Sequence, residues 1–280
     1  RWGPAWASRC RCDPMLGDLR SVRDRFPALQ RVQNGEQCIF ADSPGGTQVP
    51  HTVIDAMIDY LIHHNANEHG AFATSVESDA IILQAHAAAA DFLGCRDDEV
   101  VFGQNATTHL FAISRAIGRE LNPGDEIVIT TLDHDANIAP WKAIAEDKGA
   151  VVKQVDIRTE ECTLDLADLD EAITERTRVV AFTLASNAVG TVTPAPAIVR
   201  KAHEVGAIAV ADAVHVAQHR GLDVGVIGAD LVVTSPYKVF GPHTGLLYGK
   251  AELLERLRPY KVRPASDELP WAWETGTMNH

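Results

Sequence analysis

Two runs, Ile208-Ala209-Val210-Ala211-Asp212 and Leu231-Val232-Val233-Thr234-Ser235-Pro236-Tyr237-Lys238, decide how this chain folds. Each begins as a short apolar stretch without strict polar alternation, the pattern of a strand buried on both faces of a parallel sheet. Working outward, Ile127 to Thr130, Val151 to Val155 and Val179 to Leu184 repeat that pattern. Between them, Ile138 to Lys148, Leu166 to Ile173 and Pro196 to Val205 read as crossover helices. The alternation from about Val100 onward predicts an α/β protein: three α/β/α layers around a mostly parallel sheet of about seven strands, wound right-handed. Gly245 to Tyr248 reads as one further strand, for which an antiparallel direction is open. Upstream, Pro50 to His64 and Ser75 to Leu93 predict two helices, the second closed by Gly94 as its C′ residue. Lys250 to Leu257 predicts a last one.

With 280 residues, the chain is long enough to bury a sizeable core. Acidic residues outnumber basic ones by 38 to 25, and the resulting charge of −13 disfavours nucleic acid or an anionic membrane surface as partner. No apolar stretch approaches the roughly 20 residues a bilayer crossing needs, so a soluble protein is expected. The five cysteines are scattered and odd in number, which fits a reducing cytoplasm better than a disulfide framework. Cys10 and Cys12 form a C-x-C with no second Cys/His pair at ligand spacing, so no metal site is expected. The first 17 residues lack a continuous apolar core, do not read as a signal peptide, and are expected to be a disordered or non-native extension. No repeat or linker divides residues 18–280, which are expected to form one large domain. The chain stops at Met278-Asn279-His280, inside a loop, and so reads as truncated.

Four local patterns carry chemistry. Ser235-Pro236-Tyr237-Lys238 places a lysine at a strand's carboxyl end, where open α/β sheets bind their ligands, although a lone lysine there is more often solvated. Ala211-Asp212-Ala213-Val214-His215 brings a carboxylate and an imidazole out of another buried strand. The carboxylate can balance a buried cation or simply cap a helix. Asp133-His134-Asp135-Ala136-Asn137 offers an imidazole face for stacking on a planar ring, or equally an acidic first helical turn. Gln104-Asn105-Ala106-Thr107-Thr108, ahead of a helix expected to begin near His109, presents small and hydroxyl residues at a helix start, suited to a phosphate but also ordinary capping.

With these in view, the chain from about Phe40 to its end resembles the cysteine desulfurase-like group of class V aminotransferases, enzymes of fold type I that use pyridoxal 5′-phosphate (PLP). The resemblance is carried in order by Ala41 to Thr47, Asn65 to Gly70, Asn105 to Thr108, Asp133 to Asn137, Ser186 to Thr191, Ala211 to His215, Ser235 to Lys238 and Glu274 to Thr277. It implies that Lys238 holds the cofactor as a Schiff base, an aldimine, and then shuttles protons, that Asp212 pairs with the pyridine nitrogen, and that His134 stacks over the ring. It further implies that Ala106, Thr107 and Ser235 hold the phosphate, that Asn187 lies near the ring's phenolic oxygen or the substrate, and that Thr277 reaches a phosphate across a dimer interface. His69 and the Gly45-Gly46 loop would line the substrate pocket.

Two positions depart from the desulfurase pattern. His215 stands where many members have Gln, and Tyr237 where they have His before the lysine; both keep a hydrogen-bonding group. The resemblance implies a homodimer with shared active sites acting on an amino acid, by cysteine desulfurase-like or selenocysteine lyase-like cleavage of a C–S or C–Se bond, with a sulfur-acceptor protein as a further partner. The family's nucleophilic cysteine and its carboxylate-gripping arginine belong to a C-terminal segment and small domain that are expected to be missing here. None of the five cysteines stands at the nucleophile's position. Another class V lyase or epimerase is an alternative, as is a catalytically silent fragment acting as a dimerisation module. A dinucleotide enzyme is disfavoured because no G-x-G-x-x-G follows the first strand.

Overall fold

The computed structural model describes residues 19–277. The expected extension at residues 1–17, the Cys10/Cys12 pair and the terminal Met278 to His280 lie outside the described residues. A seven-stranded sheet forms the centre: β1 (Val100–Gly103), β2 (Glu126–Thr130), β3 (Val151–Val155), β4 (Thr177–Thr183), β5 (Ile208–Asp212), β6 (Leu231–Thr234) and β7 (Gly245–Gly249). In space the order is β1-β7-β6-β5-β4-β2-β3. Strands β2 to β6 pair in parallel, and β7 runs antiparallel to both β6 and β1.

The helices among the described residues include α1 (His51–Asp59), α2 (Ala73–Leu93), α3 (Ala106–Gly118), α4 (Ala139–Lys148), α5 (Leu166–Ala172), α6 (Ala195–Glu204) and α7 (Ala251–Arg256). The inner strands read as continuous apolar runs because each face meets its own helix layer. Along β4, Val180 and Phe182 pack with Leu93 of α2, Leu169 of α5 and Ile198 of α6. Val179 and Ala181 pack on the other side with Ile113 of α3, Ile144 of α4 and Leu254 of α7. This is the expected three-layer arrangement.

Two boundaries differ from the sequence reading by more than two residues. The first predicted helix ends as an α-helix at Asp59 and continues through a π-type turn, Tyr60–His64. Helix α3 starts at Ala106, ahead of the expected start near His109, because the Asn105 side chain accepts a hydrogen bond from the Thr108 N–H at 2.9 Å. Gly94 closes α2 in the left-handed conformation, as expected, with its N–H bonded to Ala90 O at 2.8 Å.

The turn between β1 and α3 is held by close approach. A Cβ on Gly245 would stand 2.5 Å from the backbone carbon of Asn105, so no other residue lets β7 lie this near the loop. Below it the His109 ring is buried beside Gly103, and burial pushes the imidazole down to about 4, with the Gly245 backbone opposing. Two measurements test this packing. Gly245→Ala is expected to destabilise the protein in denaturant titration by about 2 kcal/mol, the usual cost of overpacking, whereas Gly221→Ala, which meets nothing within 4 Å, leaves stability unchanged. Because folded His109 titrates below its ordinary 6.5, the unfolded chain binds more protons between pH 6.5 and about 4. Its stability contribution is therefore full above that window and lost as pH falls through it, by about 3 kcal/mol at most. His109→Gln should show a correspondingly shallower loss of unfolding free energy across the same window.

Candidate functional site

The register of the parallel strands gathers the site. Asp212, last residue of β5, lies opposite Thr183 of β4 and Val233 of β6, so the segment leaving β6 emerges beside it. A short turn, Pro236–Lys238, then bends the chain back, with Lys238 N bonded to Ser235 O at 3.0 Å. Lys238 is 8% exposed. Its Nζ donates to the Pro44 carbonyl and lies 4.6 Å from the centre of the Tyr237 ring.

The Gly45-Gly46 loop packs on this turn. Gly46 has φ 126°, and a Cβ there would stand 3.2 Å from the Tyr237 ring. Thr47 fastens the two segments: its N–H donates to Tyr237 O at 3.0 Å, and its hydroxyl accepts the Phe240 N–H at 2.7 Å. The residue sequence alone gives neither Thr47 nor the Pro44 carbonyl a role; the small, hydroxyl-bearing Asp42-Ser43-Pro44-Gly45-Gly46-Thr47 run is the available signal.

Asp212 is buried, and among the described residues its carboxylate accepts one hydrogen bond, from Val214 N at 2.8 Å. Burial raises its pKa; that hydrogen bond and the nearby His134 and Lys238 side chains oppose the rise. Two of the groups expected around one ring thus act on the third. His134 is exposed and its Nδ1 accepts the Ala136 N–H at 3.1 Å, which leaves the ring proton of the neutral imidazole on Nε2 and fixes the ring's attitude.

Next to His134 the structure adds a group to which the sequence assigns no role. Asp133 accepts hydrogen bonds from Thr130 Oγ1 and from Asn137 Nδ2, the latter at 2.8 Å, and Asn137 in turn accepts from Trp141 Nε1 at 3.2 Å. Burial holds the Asp133 carboxyl well above its ordinary range, the two hydrogen bonds oppose this, and the Asp212 charge adds to it. By residue type and place, Asp133 reads only as an acid ahead of a first helical turn.

At the neighbouring strand end, Ala106 N–H donates to Ser235 Oγ at 3.2 Å, which joins two of the residues expected around a phosphate. Thr107, the next residue, is exposed. Thr234 Oγ1 is buried and, among the described residues, has no hydrogen-bond partner. His215 stands beside His219, ring centres 5.1 Å apart, and its pKa is lowered by burial, then by the charges of His219 and Lys238. Asn187 is half-buried in the turn closed by Gly190 N to Ser186 O at 3.0 Å.

Two expected residues stand apart from this group. His69, with φ 63°, has its N–H bonded to Asp79 at 3.1 Å and its ring edge-on to Trp271 at 6.4 Å. Thr277 is exposed, and the preceding Thr275 and Gly276 border a surface recess of about 370 Å³ shared with Arg119 and Tyr260. No contact among the described residues joins either to Lys238.

Against this geometry, the profile of the family described as Aminotransferase class-V matches residues 39–279. A probable cysteine desulfurase of Streptomyces coelicolor is 39% identical over 256 residues, spanning 88% of this chain and 61% of that protein. An aminotransferase-like protein of Gibberella zeae is 39% identical over 239 residues, spanning 82% of this chain and 57% of that protein. The apo structure of a cysteine desulfurase from Thermococcus onnurineus superposes with a TM-score of 0.85 at 28% identity, over 93% of this chain and 66% of that one. The chain thus spans between 57 and 66% of these relatives. Sheet order, motif order and profile agree, and the chain belongs to the class-V aminotransferase family.

Proposed function

We propose that this chain is the PLP-binding part of an enzyme acting on an amino acid, with cysteine desulfurase-like cleavage as the reaction that its relatives' names favour. What supports the reading most is that the buried Asp212 carboxylate and the buried Lys238 amine leave adjacent strand ends, with Lys238 and His134 both acting on that carboxylate. The residues fit PLP on their own chemistry. A buried carboxylate with a single hydrogen bond suits a cationic ring N–H. The Ala106 N–H and the Ser235 hydroxyl suit phosphate oxygens, and the buried, unpartnered Thr234 hydroxyl lies one residue before Ser235.

When bound, PLP supplies an electron sink for negative charge developing at a substrate carbon. The chain's own groups do the rest. Lys238 offers its Nζ as the attachment point and then as the atom that takes up or returns a substrate proton. Asp212 would pair with a cationic ring N–H from beneath the site, while His134, held through Nδ1, would offer its face to the ring. Tyr237 and the Gly45-Gly46 loop cover the amine, and their packing keeps water from it. The family resemblance would have His215 and Asn187 border the same pocket and His69 its substrate side. A second copy completes the site, with Thr277 reaching its partner's phosphate, and a sulfur-acceptor protein receives the product sulfur. The unpaired Cys38, Cys95 and Cys162 accord with a cytoplasmic setting, and no described helix is long and apolar enough to cross a membrane.

The second reading, another class V lyase or epimerase, is favoured by Tyr237 and His215 and by the similarity to an aminotransferase-like protein. Either way, Cys95 is no nucleophile: burial pushes its thiol up to about 12, with Glu99 adding to the rise. Alkylation of the native protein at neutral pH should accordingly spare Cys95 while denatured protein is labelled there. For the cofactor, PLP-loaded protein reduced with borohydride should carry the added mass on the peptide containing Lys238, with a near-visible absorbance band before reduction. Lys238→Ala should show neither, and Asp212→Asn should bind PLP at least about tenfold more weakly, as expected when a charged hydrogen bond is lost. A label elsewhere, or none, rejects the assignment of Lys238. Sulfide release from cysteine separates the two readings.

A further inference from the structure

Outside this site the described residues contain a second buried ionisable pair. His86, on α2, is 2% exposed and Glu274 is 8% exposed, and their Nε2 and Oε1 atoms lie 3.2 Å apart. Glu274 Oε1 also accepts the Phe102 N–H at 2.7 Å. Phe102 belongs to β1, which among the described strands pairs only with β7, so this N–H points out of the sheet's open edge. The His86 ring meets the Phe102 ring edge-on at 4.9 Å and Trp271 at 5.2 Å; Trp271 also meets His69. Neither nitrogen of His86 nor Glu274 Oε2 has a well-aligned hydrogen-bond partner among the described residues.

A carboxylate this deeply buried keeps its place only beside a group that compensates it, and the His86 imidazole is the polar side chain within reach. What Glu274 holds matters, because Phe102 leads through Gly103, Gln104 and Asn105 to Ala106. On the inner side that loop is fixed by Thr244 Oγ1, which donates to Gly103 O at 2.9 Å, and by the close approach of Gly245 to Asn105. On the outer side, Glu274 does the fixing.

We propose that His86 and Glu274 form a buried latch that positions the end of β1, and with it the 103–107 loop, for holding a phosphate. His86 acts through Glu274 and is a positioning residue. The proposal rests on the PLP reading for the identity of the phosphate, but the latch itself does not. Replacing the imidazole with an apolar side chain strands the carboxylate, which then turns away or draws in water and releases the Phe102 N–H.

The test reads amide hydrogen exchange at Phe102 and, separately, spectral titration of the intact chain with free PLP. His86→Leu is expected to speed Phe102 exchange by about tenfold or more and to weaken PLP binding by a similar factor, the effect of losing one hydrogen bond to a charged group. His86→Gln, which keeps a polar group beside Glu274, should stay close to wild type on both measures. An unchanged Phe102 amide in His86→Leu overturns the latch, as does equal behaviour of the Leu and Gln variants, which would make His86 mere packing. If His86→Leu does not fold, His86→Asn decides: its shorter amide cannot reach Glu274, and unchanged Phe102 exchange overturns the proposal. Wild-type protein that takes up no PLP defeats the cofactor reading and leaves the exchange result to judge the latch.

Discussion

Burial of the central sheet on both faces is the constraint on which the rest depends. The inner strands are enclosed by helices above and below, so side chains along them are almost wholly shut off from water and from any ligand. Polar chemistry is pushed to the strand ends. The chain then uses the two ends differently. Where the parallel strands begin, Asp230 is bonded to Lys250 at 2.6 Å and to His203 at 2.8 Å, and Glu126 to Lys153 at 2.7 Å and Arg176 at 2.8 Å. Where they end stand Asp212, Lys238, His134 and Ala106.

The difference between those ends is one of charge compensation. Burial pushes Glu126 up, but hydrogen bonds from Lys153, Thr174 and Arg176 outweigh it and hold the carboxyl below its ordinary value; Asp230 behaves in the same way through Lys250, Ala209 and His203. Asp212 and Asp133 are also withdrawn from water, yet among the described residues no cation bonds to them directly, and both are raised. One end has its acids bonded directly to cations, whereas at the other neither acid has such a bond among the described residues. Such an imbalance marks a binding site better than the residue types alone, because isolated structural pairs close their own electrostatics.

Much of this is legible in residue order. Strands β5 and β6 have the boundaries their apolar runs announce, since hydrophobic burial decides them. Helix α3 begins three residues before the start expected from sequence because Asn105, not a threonine, supplies the cap, and residue order cannot say which of several adjacent polar side chains turns inward. The lysine, aspartate and histidine are recognisable through their positions at strand ends. Asp133 is not, because an acid before a helix is ordinary and only the fold reveals the Thr130 and Asn137 bonds that hold its carboxyl inward. The His86–Glu274 contact joins residues far apart along the chain, with no local pattern around His86 to announce it.

The outward N–H of Phe102 has one more consequence. A sheet's open margin is a template on which foreign chains can extend, and proteins must blunt it to remain apart. Here the carboxylate of Glu274 occupies a donor that an incoming strand would need, and the opposite margin, β3, carries Lys153 with its ammonium drawn back toward Ala172 O and Glu126. A strand added at the β1 rim would therefore have to displace the Glu274 carboxylate from the Phe102 N–H before it could pair there.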